Sequence, residues 1–289
     1  MRRLSPTFQL LACAAIALFC ADTLAANPPR KPGDVFKDCD TCPEMVVLPA
    51  GVFVMGTPED EVGRQSDETP KHPVSFRKPF AVGRFPVLAG EWDHYTQATG
   101  ARIADGDTRP GRECRAGKPR YPQQPRQPAV CMSYFDAGRY LAWLSEKTGH
   151  RYRLLSEAER EYAARAGSYG PFPFPFDRPG EYVIDKHANT YGDGDGFTHT
   201  APAGSFPPNA FGVYDMHGNI YEWVADCWHD SYEGAPADGG AWMEGACKFH
   251  QIRGNDWSEP PIFSRSGNRN ATNPDNRGDW LGFRVARDL

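Results

Sequence analysis

Between Asn209 and Trp228 the chain reads NAFGVYDMHGNIYEWVADCW, a stretch that gathers turn formers, acids, a histidine and large aromatics. Asp215, Gly218, Asn219 and Glu222 fall within eight residues. A backbone bent at Gly218 and Asn219 can aim carbonyl oxygens inward beside both carboxylates, which makes an oxygen-rich pocket suited to a hard cation such as calcium. The same residue types also make a tight turn whose carboxylates are solvated or pair with arginines. Residue types alone leave both readings open. The eight histidines are scattered, and none forms a close pair at metal-ligand spacing on an expected helix. His217, inside DMHGN, is the one to watch.

The cysteines speak to compartment. Arg2 and Arg3 precede an apolar run, Leu10 to Ala21, that is shorter than the about 20 residues of a membrane span. With small residues at Thr23, Ala25 and Ala26, residues 1–26 read as a cleaved secretory signal, leaving an exported chain, periplasmic or secreted, with no stable membrane span. Cys39, Cys42, Cys114, Cys131, Cys227 and Cys247 then remain, an even number in an oxidising compartment, so structural disulfides are expected. Fifteen pairings of six cysteines are possible. Cys227 and Cys247 bracket a polar loop with little apolar periodicity and are expected to pair. Cys114 and Cys131 bracket another such loop, and the CxxC of Cys39 and Cys42 lacks both a second CxxC and a strand-to-helix context, which favours a local disulfide over a redox or zinc role.

Three helices position what lies between. Trp92, Tyr95 and Ala98 share a face near Gly90 to Thr99. Ser133 caps a second helix carrying Ala137, Tyr140, Leu141 and Leu144 and stopped by Gly149. In SEAEREYAARAG, Ser156 and Glu159 form a capping box, with Gly167 as the expected C-cap. Residues 27–43 read as a surface lead-in, and MVVLPAGVFVM, from Met45 to Met55, as a hairpin broken at Pro49 to Gly51. Beyond Gly167 the spacing predicts loops with isolated strands. The 29 Gly and 27 Pro exclude a helix-rich protein. A net charge of −5 without a basic cluster excludes nucleic acid as a partner. A single α+β domain over 44–289 is expected, as a monomer.

The order of MVVLPAGVFVMG, RYRLLSEAEREYAARAG, TAPAGSFPPNAFGVYDMHGNIYEWVADCW, IRGNDW and NRNATNPDNRGDWLGFRVAR resembles the sulfatase-modifying-factor, or formylglycine-generating enzyme, family from about Cys39 onward. The resemblance implies one compact α+β domain, an elaborated C-type-lectin-like fold poor in regular secondary structure. It also implies two structural calcium sites. One would use Asn189, Thr190, Asp195 and Phe197. The other would use Asp215, Gly218, Ile220 and Glu222, with Asp215 replacing a frequent asparagine.

The family's copper-binding cysteines have no counterpart here, because those positions, counted from Gly254 and Trp257, fall on Glu259 and Ser264. Copper(I) ligation by thiolates is thereby excluded at this place, and the identity of any redox metal is left open. The resemblance is to stand-alone exported members linked to oxidation of a siderophore chromophore. It implies an oxidative maturation enzyme or accessory factor for an exported peptide or siderophore precursor. Arg253, Asp256, Trp257, Glu259 and Ser264 would line the former copper cleft, with Glu259 as general base and Trp257 as a stacking wall. A non-catalytic peptide- or glycan-binding module using the same cleft is the alternative. Formylglycine generation would require unrelated chemistry.

Overall fold

The computed structural model describes residues 29–176 and 182–289. The expected secretory signal, residues 1–26, lies outside the described residues. The frame is an antiparallel five-stranded sheet in the order β1 (Val35–Phe36), β2 (Met45–Leu48), β5 (Phe80–Gly83), β13 (Val285–Arg287) and β8 (Tyr152–Leu154). Every residue of β2 and β5 is buried, because both faces of the sheet are covered. Met45 and Val47 face a core shared with Trp92, Tyr95, Tyr140 and Leu144 of α1 (Ala89–Thr99) and α2 (Tyr134–Thr148). Their alternating neighbours Val46 and Leu48 face Ala158, Tyr162 and Ala163 of α3 (Glu157–Arg165).

The helix ends follow local chemistry. Ser133 Oγ accepts from the Asp136 amide at 3.1 Å and Ser156 Oγ from the Glu159 amide at 3.0 Å, so both capping boxes form. The C-cap of α3 is Ala166 rather than Gly167, with φ at 44° and its amide on the Tyr162 carbonyl.

The expected hairpin over 45–55 does not form. β2 pairs with β5, whereas β3 (Gly51–Met55) pairs with β4 (His72–Phe76) in a separate ribbon. Burial is the cause. β2 is covered on both sides, while β3 leaves Val52 and Val54 exposed, and Pro49, whose carbonyl accepts from the Tyr162 hydroxyl at 3.2 Å, carries the chain between the two. The lead-in also does more than cross the surface, since β1 extends the main sheet and buries Phe36.

The second half is loop-rich, but its strands are not isolated. β9 (Tyr221–Cys227), β10 (His250–Arg253), β11 (Asn270–Thr272) and β12 (Leu281–Phe283) form a four-stranded sheet in the order β11-β10-β9-β12. Three disulfides hold the loops: Cys39–Cys42, Cys114–Cys131, which anchors the small ribbon of β6 (Cys114–Arg115) and β7 (Lys118–Pro119), and Cys227–Cys247. The expected pair is therefore present.

Candidate active site at the edge of the second sheet

Past β10 the chain turns through Gly254 and Asn255, both at positive φ (108° and 69°), and passes Asp256 to Glu259 before a short 3-10 turn at Pro261–Ser264. This segment overhangs the start of β9. Two adjoining hollows result, of about 660 Å³ and about 180 Å³, and Tyr221, Glu259, Asn270 and Ala271 line both. The larger is walled by Trp228, Phe249 and Phe263 with Arg269 and Asp67, the smaller by Arg112, Asp256, Ser258 and Trp280.

Glu259 stands at the junction. The Tyr221 hydroxyl donates to Glu259 Oε2 at 3.3 Å and accepts from Asn270 Nδ2 at 3.3 Å. Burial, followed by the Glu259 charge, holds the Tyr221 phenol well above its ordinary value, so it remains a donor. The backbone of Glu259 is fixed by its carbonyl, which accepts from the Tyr191 amide at 3.0 Å and Asn255 Nδ2 at 3.4 Å. Asp256 lies beside it. Its Oδ1 accepts from the Ser258 amide and hydroxyl, both at 2.6 Å, yet burial pushes its carboxyl up to about 6. The junction thus offers a fixed carboxylate, a neutral phenol and a second carboxyl that titrates in a mild range.

The other residues expected in the cleft are not all there. Trp257 lies behind it, with the Arg112 guanidinium 4.7 Å over its ring and its indole N–H donating to the Asp279 carbonyl at 3.4 Å, so it is not a wall of either hollow. Ser264 is buried, and its hydroxyl accepts from Asn255 Nδ2 at 2.8 Å. Arg253 is also interior, because its side chain leaves β10 toward α3 and meets Glu157 Oε1 at 2.9 Å and Glu161 Oε2 at 2.7 Å. His217 is a buried pin. Its Nδ1 donates to the Ser264 carbonyl at 2.7 Å, and burial depresses it to about 4.

The two expected calcium sets fare differently. At the first, Asn189 Oδ1 and Thr190 Oγ1 are buried without a partner, and Asp195 gathers the Thr190 and Phe197 amides at 2.9 Å each. Unpaired oxygens beside a carboxylate in a closed loop fit a hard cation. At the second, Glu222 is already neutralised. Arg160 Nε lies 2.7 Å from Oε2 and Arg284 Nη2 2.7 Å from Oε1. Burial alone would raise the Glu222 carboxyl, but the two guanidiniums outweigh it and hold it below the usual range. Glu222 is therefore paired with arginines and is not a free ligand for a divalent ion. Asp215, by contrast, makes no ion pair among the described residues: its Oδ2 accepts from the Gly204 amide at 2.9 Å and its Oδ1 is buried without a partner. Among the described residues no group of three His, Cys, Asp or Glu side chains is placed to hold a metal, and the six described cysteines are all in disulfides, which leaves no thiolate among them.

Sequence reasoning missed Tyr221 and Asn270, the partners of Glu259. Strand alternation was the available signal for Tyr221, since its neighbour Glu222 points inward. Nothing local marked Asn270.

The fold and site can be set beside known proteins. The structure of PvdO from Pseudomonas aeruginosa is similar at 73% identity and a TM-score of 0.88, covering 90% of this chain and 100% of that one. The formylglycine-generating enzyme of Bos taurus is 28% identical over 300 residues, covering 85% of this chain and 75% of that protein. The inactive C-alpha-formylglycine-generating enzyme 2 of Mus musculus is 31% identical over 291 residues, covering 84% and 85%. The model of the sulfatase-modifying factor enzyme 1-like domain matches residues 31–289. With that match over residues 31–289, the chain belongs to the sulfatase-modifying factor enzyme 1-like family.

Proposed function

We propose that the protein is an exported oxidative maturation factor that acts on a peptide or siderophore precursor at Glu259. The observation that carries this reading is the placement of Glu259. It replaces the first expected thiol, stands where the two hollows meet, and is held by a neutral phenol and a pinned backbone. The likeness to PvdO supports a siderophore such as pyoverdine, whose dihydroquinoline precursor would be oxidised to the mature chromophore. Three disulfides suit an oxidising compartment. Among the described residues, no helix is long and apolar enough to cross a membrane.

In this reading the aromatic walls of the larger hollow hold the ring. Glu259 then accepts one proton from a phenol or a saturated ring carbon, and the two electrons with the second proton pass to an acceptor from outside the chain, dioxygen in the assay. The dioxygen also takes up the proton shed by Glu259 and leaves as hydrogen peroxide. Calcium at Asn189, Thr190, Asp195 and Phe197 would serve structure alone, by tying down the loop before β9.

The test compares wild type with Glu259→Gln on the dihydroquinoline precursor under oxygen, with and without added metal, following chromophore absorbance. Glutamine keeps size and polarity, so melting should be unchanged while the rate falls by ~10²-fold or more. Equal rates would remove the general base and leave the hollows as a binding surface for a peptide or glycan.

A further inference from the structure

We infer that Arg160 is a built-in cation, its guanidinium filling the oxygen-lined turn of Asp215 to Glu222 in place of a divalent ion. Arg160 leaves α3 and makes two contacts with that turn. Nε donates to Glu222 Oε2 at 2.7 Å, and Nη2 donates to the Met216 carbonyl at 2.8 Å. These are a carboxylate oxygen at the start of β9 and a main-chain oxygen of the turn that leads into it, the kind of ligands a hard cation takes. Arg284 closes the other side, donating to Glu222 Oε1 at 2.7 Å and to the Tyr214 carbonyl at 2.8 Å.

Arg160 is set apart from the buried arginines that gather at α3. Arg253, Arg165 and Arg269 all serve Glu157 or Glu161 of α3 itself. Arg160, on the same helix, bonds to neither of these acids and reaches only the turn. Room has been made for it, since a Cβ at Gly254 would stand 2.6 Å from Arg160 Nη2. A divalent ion added beside two buried guanidiniums would face like charge at close range in a poorly screened interior. The turn is thus locked by a side chain that cannot dissociate, whereas a bound ion could be chelated.

Native mass spectrometry and thermal melting of the full chain test this with calcium and with a chelator. Wild type should carry at most one calcium ion, and Asp195→Asn should abolish that ion. Arg160→Ala opens the site. It should melt lower than wild type, bind one additional calcium ion and recover by about 5 °C or more at ~100 times the dissociation constant. Arg160→Lys, which restores a cation, should show no added ion. A calcium ion retained by Asp195→Asn would overturn the inference, as would a folded Arg160→Ala that gains none. Should Arg160→Ala not fold, Arg160→Gln is read in the same way, and the wild-type stoichiometry decides independently.

Discussion

The Tyr221 hydroxyl bridges Asn270 Nδ2 and Glu259 Oε2, 3.3 Å from each, and thereby ties the start of β11 and the loop after β10 to the first residue of β9. Glu259 is otherwise held through its main chain, so this bridge is what orients its carboxylate. Tyr221→Phe should leave the fold intact, with a loss of about 1 kcal/mol per hydrogen bond. Turnover should fall roughly ten- to a hundred-fold through misplacement of the base. Paired melting and rate measurements check this, and an unchanged rate would show that the bridge is idle.

Asp256 predicts a pH dependence of stability. Burial raises its folded-state carboxyl to about 6, above the ordinary value, so the protonated form is favoured on folding. The associated stability is complete below about pH 4 and is lost as pH rises through about 6, amounting to about 3 kcal/mol. Asp256→Asn keeps an acceptor for Ser258 and cannot ionise. Urea titrations from pH 4 to 8 should therefore show wild type losing stability relative to the variant, and parallel curves would refute the assignment.

Arg253 should matter for stability rather than for turnover. Its removal leaves Glu157 and Glu161 short of a buried partner, a loss of about 3–5 kcal/mol. For Arg253→Met, denaturation should show that loss while the rate per folded molecule stays near wild type. A normal melt with a collapsed rate would return Arg253 to the catalytic set.

Legibility in the sequence followed locality. The SEAE box of α3 and the Ser133 cap of α2 are decided by neighbours within one turn, and both form as the spacing predicts. The Cys227–Cys247 link was readable because the loop between them has little else to order it. Pairing of β2 with β5 instead of β3 depends on which strand ends up covered on both faces, which no window of eleven residues contains. Glu259 was singled out in the sequence by counting from Gly254 and Trp257, and it stands where the two hollows meet. Arg253 and Ser264 were misplaced because proximity along the chain does not say which face of a strand or turn a side chain leaves from. Arg160 was missed because its partners lie 56 and 62 residues away in sequence.

Tyr221 and Glu222 are consecutive on β9, and their side chains leave opposite faces. The first enters the cleft, and the second enters the arginine-filled interior. At this strand one peptide unit separates the place where substrate would be handled from the buried Glu222–Arg160–Arg284 cluster. Substitutions on α3 would reach the cleft by two routes, through Arg160 and Glu222 to Tyr221, and through Glu157 to Arg269 in the wall of the larger hollow. A search for residues that tune the cleft should accordingly extend behind the strand as well as around its mouth.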